Sequence, residues 1–328
     1  MKKLFKKAMA VCLAAVMTVG LCSCGQAGNK TLNIAIVKQL DHASLDEIAN
    51  AIEAQLNELG TQNGVEVKVT VYSGQNDQST IKQICDQAIA QKVDAIVPIA
   101  TMAAQVAAGS AQDSKTPVIF AAVSDPKAAD LTGFEYVTGT SDGLNTNFIM
   151  DMMFTQNPDI KKVGLLYSTS EVNSQTPIEE AKAYLADKNI ETVAYFANNN
   201  EEAVMSAALF VDSEVDAVFT PTDNVIMAAE LAIYETFADA GIPHYAGADS
   251  FVRNGAFATC GVNYTELGKK TADLAFKAAR EGMEGMEDYY LMDGGIITVN
   301  TETAAKIGAD ISKFNGMGEI VEVTTTEE

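Results

Sequence analysis

Two stretches of this chain repeat one local order, and that repetition restricts the folds available to it. The apolar run Val93–Ile99 passes directly into a helical pattern that begins near Thr101. The apolar run Val215–Phe219 likewise gives way, across Thr220–Asn224, to a helical pattern. Ligands of open α/β sheets bind at such junctions, outside the carboxyl ends of the strands. The sequence therefore predicts an α/β fold in which both junctions belong to a ligand site.

The same alternation of strand and helix patterns covers both halves of the chain. Four apolar runs alternate with helical patterns between residues 32 and 123, and four more do so between residues 162 and 248. The two series also match residue against residue, since Asp94 corresponds to Asp216 and Pro117 to Pro243. Such alternation is typical of right-handed βαβ units. We therefore expect two Rossmann-like lobes with parallel sheets, joined by a hinge.

Stretches of small residues indicate where the chain passes between the lobes. We expect crossings near Tyr136–Gly143 and Ala258–Gly268, because small residues suit a hinge. A helix from Tyr264 to about Arg280 and a late strand, Gly295–Val299, would then complete the first lobe. The predicted divisions are residues 32–138 plus about 262–300 for lobe 1, 139–261 for lobe 2, and 301–328 for a C-terminal segment with a frayed acidic tail.

The first 23 residues have the features of an export signal rather than of the fold. Basic residues near the start, Lys2 to Lys7, precede an apolar stretch from about Ala8 to Leu21. The stretch ends in Leu-Cys-Ser-Cys, which resembles a bacterial lipoprotein processing site and makes Cys24 the expected lipid carrier. Residues 24–31 would form a lipidated tether outside the cytoplasm, anchored to the cell membrane. The alternative is an ordinary signal peptide with an incidental cysteine.

Charge and cysteine content exclude several classes of partner. The formal net charge of −22 argues against nucleic acid, whose binding calls for a basic patch. We interpret the acidity as a solvated surface rather than as a calcium or acidic-ligand function. Cys85 and Cys260 lie far apart and no CxxC pair occurs, which favours two buried free thiols over a disulfide or metal site. We predict no metal and no cofactor.

Motifs for enzyme chemistry are sparse, and we predict that the chain is not an enzyme. The sequence has no P-loop, no HExxH and no glycine-rich dinucleotide turn after its first strand. Gly139–Gly143 does match G-x-S-x-G, with Ser141 as a nucleophile and Asp223 and His244 following in triad order. However, His244 begins its predicted strand, at the opposite edge of the sheet from Asp223. A serine hydrolase is therefore only a remote alternative.

Polar residues at the strand ends suit a ligand with two opposite charges. Asp223 either caps the helix that follows it, worth ~1 kcal/mol, or accepts hydrogen bonds from a ligand ammonium group, and we predict that it holds the ammonium group. Predicted helix starts at Thr101, Ser124 and Ser174 offer N–H groups and hydroxyls, which favour a carboxylate. His42 either lines the pocket or caps its own helix. The sequence contains no tryptophan on which a sugar would stack, which weakens a sugar-binding interpretation.

Seven short motifs at these loops resemble a known family. The sequence is similar, over essentially the whole exported chain, to ABC-transporter solute-binding lipoproteins of the tryptophan/tyrosine-type subfamily, in the periplasmic-binding-protein-like superfamily. One departure is Met102, where that family leads us to expect a proline. The motifs are DHASLD (41–46), ATMAAQ (100–105), AVSDP (122–126), STSEVNS (168–174), PTDN (221–224), GADS (247–250) and NYTELG (263–268).

The resemblance implies a type I periplasmic-binding-protein-like fold that captures an amino acid, often Trp, Tyr or Phe, between two closing lobes. It also implies delivery to an ABC permease, and we expect a monomer. A nucleoside or sugar binding protein of the same fold, or a sensor without a permease, are the alternatives. The ligand-binding residues carried over by matching motif are Thr101, Gln105, Ser124, Asn173, Ser174, Thr222, Asp223, Asn224 and Asp249, with His42 as a further candidate.

Overall fold

The computed structural model describes residues 31–326 and contains one sheet in each of two lobes. The predicted export signal and Cys24 lie outside the described residues. The two sheets have six and seven strands, and helices cover them. The predicted two-lobed α/β fold is confirmed.

The first sheet is entirely parallel. Its strands are β1 (Leu32–Lys38), β2 (Val67–Ser73), β3 (Ala95–Ile99), β4 (Val118–Phe120), β5 (Val137–Ser141) and β11 (Tyr290–Leu291). Their order across the sheet is β11-β5-β4-β3-β1-β2.

The second sheet has seven strands. They are β6 (Lys162–Tyr167), β7 (Glu191–Phe196), β8 (Ala217–Thr220), β9 (His244–Ala246), β10 (Ala258–Gly261), β12 (Ile296–Asn300) and β13 (Glu319–Val323). Their order across the sheet is β13-β12-β10-β9-β8-β6-β7, and neighbouring strands are parallel except β10 and β12.

The helices lie between these strands, and those predicted to start at Thr101 and Ser174 begin there or one residue later. The helix start predicted at Ser124 is wrong, because the chain forms turns there. The helices are α1 (Ala43–Asn63), α2 (Gln78–Ala90), α3 (Thr101–Ser110), α4 (Thr146–Gln156), α5 (Gln175–Asp187), α6 (Asn200–Asp212), α7 (Asn224–Asp239), α8 (Asp249–Arg253), α9 (Tyr264–Glu281) and α10 (Thr301–Ile307), with short 3₁₀ turns at Val172–Ser174 and Ile311–Phe314.

The nearly continuous apolar run of β1 follows from burial of both its faces. Ile34 and Ile36 pack in one core with α1 and α9, while Ala35 and Val37 pack in another core with α2 and α3. Successive side chains of a strand point to opposite faces, so a strand with helices on both sides must be apolar at every position. The apolar sequence of β1 therefore indicates a central strand of a parallel sheet with helices on both faces.

The two sheets repeat one topology. The first five strands of lobe 1 have the spatial order β2-β1-β3-β4-β5, and those of lobe 2 have the order β7-β6-β8-β9-β10. In both lobes the order reverses at the first strand, which creates a crevice at the carboxyl ends of the strands on either side. The loops expected to bind ligand follow these strands, so the topology gathers them in each lobe.

Two parts of the predicted division into lobes are wrong. The late strand β12 lies in the second sheet rather than the first, because it pairs antiparallel with β10, as in the partners Cys260 and Ile297. Our expectation assumed that the chain would return to the parallel sheet of lobe 1. Conversely, β5 pairs with β4 at residues 137–139 and with β11 at residues 140–141, so it belongs to lobe 1 and extends past the predicted boundary at 138.

The predicted frayed tail also differs from the structure. Residues 319–323 form β13, which pairs in parallel with β12 along its whole length. Phe314, just before it, is fully buried in the core of lobe 2. The chain therefore crosses between the lobes three times, after β5, after β10 and after β11. The acidic composition of the segment concealed an edge strand, in which Glu319 and Glu322 are exposed.

The described residues contain the two free thiols that the sequence predicts. Cys85 in α2 and Cys260 in β10 are both buried and unpaired with each other. None of the helices within residues 31–326 combines the length and apolar character of a membrane span.

Helices α1 and α9 pack closely at a glycine, which generates a stability prediction. A methyl group at Gly268 would lie 2.7 Å from Cβ of Ala51 and 2.9 Å from the carbonyl oxygen of Ile48. We expect Gly268→Ala to lower the free energy of unfolding by about 1–3 kcal/mol, since the two helices must separate. Urea denaturation measures this.

The matched control is Gly109→Ala in α3, where nothing lies within 4 Å of an added methyl group. Alanine there should raise the free energy of unfolding by up to ~1 kcal/mol because it restricts the unfolded chain and favours helix. Equal effects of the two substitutions would contradict the packing argument.

Candidate ligand-binding site

A cavity lies between the lobes, at the carboxyl ends of the central strands. Both lobes line it: His42, Thr101, Ser124 and Asp142 come from the first, and Asn173, Thr222, Asp223 and Asn224 from the second. The centre of a water molecule can occupy about 20 Å³ of this space. That is room for about one water, so an organic ligand enters only if the lobes move apart.

Side chains of the two lobes hydrogen-bond directly across the cleft. Gln39 Nε2 donates to Glu171 Oε1 at 2.8 Å, His42 Nε2 lies 3.1 Å from Asn224 Oδ1, and the Ser124 and Thr222 hydroxyls lie 2.9 Å apart. Ser44 and Ser250 also pair across it. The conformation is therefore a closed one.

The N-terminus of α3 forms one wall of the cavity. Its N-cap residue, Ala100, has φ +77° and supplies no side-chain cap. Ala122, which also lines the cavity, has φ +52°. Positive φ is costly for alanine, and such strain concentrates at functional sites. The Thr101 hydroxyl is buried and has no hydrogen-bond partner within the described chain. This wall thus offers a helix start whose N-cap residue supplies no acceptor of its own, together with a hydroxyl that has no partner, both suited to an anion.

Asp142 supplies a negative charge to the same cavity. It follows β5, is 5% exposed, and accepts hydrogen bonds from Ser124 Oγ and from the Tyr264 hydroxyl, each at 3.0 Å. A carboxylate has about four acceptor positions, so two remain for a ligand. Burial raises the pKa of Asp142, and the two hydrogen bonds oppose that shift. The sequence does not indicate that Asp142 lines a ligand site, because Asp142 stands within the hydrolase-like motif and outside the loops predicted to bind ligand.

Asp223 caps α7 and fixes the neighbouring loop. One oxygen accepts from the N–H groups of Val225 and Ile226, both at 3.1 Å. The other accepts from Ser168 N and Ser174 Oγ, both at 2.7 Å. Its acceptor positions are therefore filled, and all four partners are donors, which favours the ionised form although burial raises its pKa. Capping of α7 explains two of these contacts, and the hold on the loop from Ser168 to Ser174 explains the other two.

Glu171 joins the two lobes and was also missed by sequence analysis. Its oxygens accept from Gln39 Nε2 at 2.8 Å and from Asn224 Nδ2 at 2.7 Å. Burial, followed by the charge of Asp223, raises the pKa of Glu171 to about 7. Glu171 lies 132 positions from Gln39 in the sequence, so no local pattern could have paired them.

His42 lines the cavity, as one of its two predicted roles required. Burial lowers the pKa of His42 to about 4, so the ring is neutral near pH 7. Its Nδ1 is buried and has no hydrogen-bond partner among residues 31–326. The ring makes no side-chain cap to α1, which it precedes.

The remaining predicted residues are divided between the cavity and its surroundings. Asn173 Nδ2 donates to the carbonyl of Thr222 at 2.6 Å and shapes the wall that both residues line. Ser174 supports Asp223 without lining the cavity. Gln105 and Asp249 also lie outside the lining: Gln105 donates to the carbonyl of Ala129, and Asp249 forms an ion pair with Arg253. Proximity to a strand end in sequence did not suffice to place them in the site.

The residues of the hypothetical hydrolase triad do not form one. The Ser141 hydroxyl donates to the carbonyl of Ser124. His244 contacts Glu230 and Thr220, at 3.0 and 2.8 Å, and Asp223 is saturated as described above. No charge relay connects the three residues.

Comparison with known proteins agrees with this two-lobed binding geometry. The model of the ABC transporter substrate binding protein family matches residues 33–313. The chain belongs to this family. ABC transporter substrate-binding proteins act outside the cytoplasm and are not enzymes, which removes the hydrolase alternative.

Individual relatives resemble this substrate-binding protein along most of its length. A tyrosine-binding protein of Clostridioides difficile (strain R20291) is 29% identical over 333 residues, covering 94% of this chain and 96% of the relative. A solved ABC domain from Streptococcus pneumoniae in complex with L-Trp is 27% identical, with a TM-score of 0.81, and covers 89% of this chain and 100% of its own.

A third relative helps to define the conformation. The ligand-free, open structure of a substrate-binding protein with adhesive properties from Clostridium difficile is 27% identical and covers 90% of this chain and 100% of its own, with a TM-score of 0.67. The score against the tryptophan complex is higher at the same identity. This difference agrees with the hydrogen bonds that close the cleft of this substrate-binding protein.

The saturation of Asp223 predicts a structural effect of its removal. Asp223→Ala should lower the free energy of unfolding by about 2–4 kcal/mol, because four buried donors lose their acceptor. Asp77→Ala provides the control, because Asp77 caps α2 through an exposed contact to Thr80. This substitution should lower the free energy of unfolding by only ~1 kcal/mol. Urea denaturation of both variants, without ligand, tests the difference, and equal losses would contradict it.

The raised pKa of Glu171 predicts a pH-dependent contribution to stability. Between pH 4.5 and 7 the native state retains a proton that the unfolded chain has released. The resulting stability is fully present below pH 4.5 and is lost as the pH rises through 7. The difference in unfolding free energy, wild type minus Glu171→Gln, should therefore fall across this range.

The lowered pKa of His42 makes stability rise with pH, which is the opposite direction. Wild type and Glu171→Gln both contain His42, so its contribution cancels in the difference between their unfolding free energies. Denaturation curves at pH 4.5, 6, 7 and 8 measure the effect. Parallel stability profiles for wild type and variant would show that the pKa of Glu171 is not raised.

Proposed function

We propose that this substrate-binding protein captures an aromatic amino acid between its lobes and delivers it to an ABC permease. One observation carries the proposal: a single cavity combines a carboxylate with unused acceptor positions, Asp142, and a helix N-terminus that bears an unpartnered hydroxyl, Thr101. These features prefer opposite charges. A free amino acid carries both.

The α-carboxylate is assigned to the N-terminal end of α3. Backbone N–H groups of a first helical turn lack intrahelical acceptors, and the helix dipole favours an anion there. Within this turn, Met102 N–H already donates to Gln39 Oε1 at 3.2 Å. Thr101 supplies a hydroxyl that has no other use. Ser124, which the sequence also assigned to the carboxylate, is instead occupied by Asp142 and Thr222.

The α-ammonium group is assigned to Asp142 rather than to Asp223. Both carboxylates are buried and line the cavity, but only Asp142 keeps acceptor positions free. An ammonium group would supply a cation to a cavity whose lining includes no lysine or arginine. Charge-assisted hydrogen bonds of this kind are about twice as strong as neutral ones.

The side chain of the ligand is assigned to the apolar part of the lining. Leu45, Met227 and Phe251 contribute to it, beside the rings of His42 and Tyr264. The relatives support an aromatic side chain, since one is a tyrosine-binding protein and another was solved with L-Trp. Tryptophan and tyrosine are therefore the first ligands to test.

Membrane anchoring completes the proposed role. A lipid on Cys24, supported by the Leu-Cys-Ser-Cys sequence, would keep the binding lobes beside the permease. We propose that the protein works there as a monomer, since the ligand site is built entirely from one chain.

Isothermal titration calorimetry with L-tryptophan, L-tyrosine and L-phenylalanine tests the proposal. Tryptamine lacks the carboxylate and indole-3-propionate lacks the ammonium group, and each should bind at least about 10-fold more weakly than tryptophan. Nucleosides and sugars serve as the competing ligand classes. Binding of one of those classes, with none of any amino acid, would overturn the proposal.

Asp142→Asn tests the assignment of the ammonium group. The variant should weaken tryptophan binding by about 10- to 100-fold, which corresponds to the loss of a hydrogen bond between charged groups. Tryptamine keeps the ammonium group, so its affinity should fall by the same factor. Asp125→Asn is the control, because Asp125 lies near the cleft and bonds Thr176 but does not line the cavity. Affinity should stay within about threefold there. An unchanged affinity in Asp142→Asn would leave the ammonium site unassigned to Asp142 and contradict this part of the proposal.

A further inference from the structure

A series of hydrogen bonds across the cleft fixes the position of the proton on His42. The series starts at Gln39, whose Oε1 accepts from the backbone N–H of Met102 at 3.2 Å. This contact fixes the orientation of the Gln39 amide, so its Nε2 is the group that donates to Glu171 Oε1 at 2.8 Å. Glu171 therefore acts as an acceptor toward lobe 1.

The same carboxylate orients the next amide. Glu171 Oε2 accepts from Asn224 Nδ2 at 2.7 Å, which leaves Asn224 Oδ1 to face His42 Nε2 at 3.1 Å. An amide oxygen can only accept, so while Glu171 is ionised, above a pH of about 7, the proton of the neutral ring must be on Nε2. The other ring nitrogen, Nδ1, then carries a bare lone pair.

That lone pair has no use within the protein. Nδ1 is buried and has no partner in the described chain, while the ring lines the cavity. A buried acceptor without a donor is destabilising, because it has lost its hydrogen bond to water and gained none in return. The lowered pKa of His42 excludes the simplest remedy, which is a second proton on the ring.

We propose that, once the lobes have closed around the ligand and these cross-cleft hydrogen bonds have re-formed, His42 Nδ1 accepts a hydrogen bond from the side chain of the ligand, so that the site selects aromatic amino acids with an indole N–H or a phenol O–H over phenylalanine. The inference rests on the proposed function and names the determinant of specificity within that site. Glu171 and Asn224 are positioning residues, because they act only by holding the proton on Nε2.

A ligand whose side chain lacks a hydrogen-bond donor should bind more weakly in this site. Phenylalanine fills the same apolar space as tyrosine but leaves Nδ1 desolvated and unpaired. Sites that are built to hydrogen-bond a ligand group reject the analogue without it far more strongly than apolar pockets reject a missing methylene. Discrimination should therefore depend on His42 rather than on the volume of the pocket.

Two matched ligand pairs test this by calorimetry. Tryptophan is compared with 3-benzothienylalanine, in which sulfur replaces the indole N–H, and tyrosine with phenylalanine. In the wild type the first member of each pair should bind at least 10-fold more tightly, and in His42→Leu both ratios should fall below about threefold. Wild-type ratios near one, with all four ligands bound, would overturn the inference while leaving the proposed function intact. If none of the four binds, the proposed function itself fails.

The tautomer can be observed directly, even if His42→Leu folds poorly. The sequence has only two histidines, His42 and His244, so ¹⁵N-histidine labelling gives a simple spectrum. In the tryptophan complex we expect His42 Nε2 to be protonated and Nδ1 to show the shift of an unprotonated, hydrogen-bonded nitrogen. The benzothienylalanine complex should show Nδ1 unprotonated without that hydrogen bond. A proton on Nδ1 in the tryptophan complex would contradict the inference.

Glu171→Gln tests the positioning role. The substituted amide can donate as well as accept, so Asn224 is free to reverse and the proton on His42 is no longer restricted to Nε2. The tryptophan to benzothienylalanine ratio should fall several-fold. Glu230→Gln is the matched control, because Glu230 pairs with the other buried histidine, His244, away from the cavity. An equal loss of the ratio in both variants would indicate general destabilisation and would contradict the positioning role.

Discussion

The cleft depends on the burial of three carboxylates, those of Asp142, Glu171 and Asp223, without a lysine or arginine in the cavity lining. Transfer of an unpaired charge out of water is strongly unfavourable, so each carboxylate needs donors. Backbone N–H groups at a helix start satisfy one of them, and side-chain amides that meet across the cleft satisfy another. Of the two that line the cavity, Asp142 and Asp223, only Asp142 is left with unused acceptor positions. The architecture of the site follows from how these three charges are compensated.

Much of the fold could be predicted from the sequence, because its determinants are local. Burial of both faces makes the central strands apolar throughout, and each strand passes into its helix at a polar junction. The duplicated order of these junctions indicated two lobes. The strand β12 could not be placed in this way, because an antiparallel partner leaves no mark on the strand itself. Likewise, the acidic side chains of β13 are compatible with either a solvated edge strand or a disordered tail.

The site was predicted less completely, for a related reason. Sequence analysis identified the loops that meet in the cavity, including Thr101, His42 and Asn224, since these follow strand ends. It assigned the ammonium group to Asp223, because a capping carboxylate and a ligand-binding one have the same sequence environment. What separates the roles of Asp223 and Asp142 is the number of acceptor positions left free. That number depends on contacts between residues far apart in the chain, such as Asp142 with Tyr264.

The closed cleft is held by neutral hydroxyl and amide pairs as well as by Glu171, and it encloses room for about one water molecule. A ligand must therefore compete with contacts that the protein makes with itself. The measured affinity is the intrinsic affinity multiplied by the fraction of molecules with an accessible cleft. A change of 1.4 kcal/mol in the stability of these contacts would shift the apparent dissociation constant about tenfold once the closed form predominates. Residues such as Ser44 and Ser250 can thus tune uptake through the conformational equilibrium.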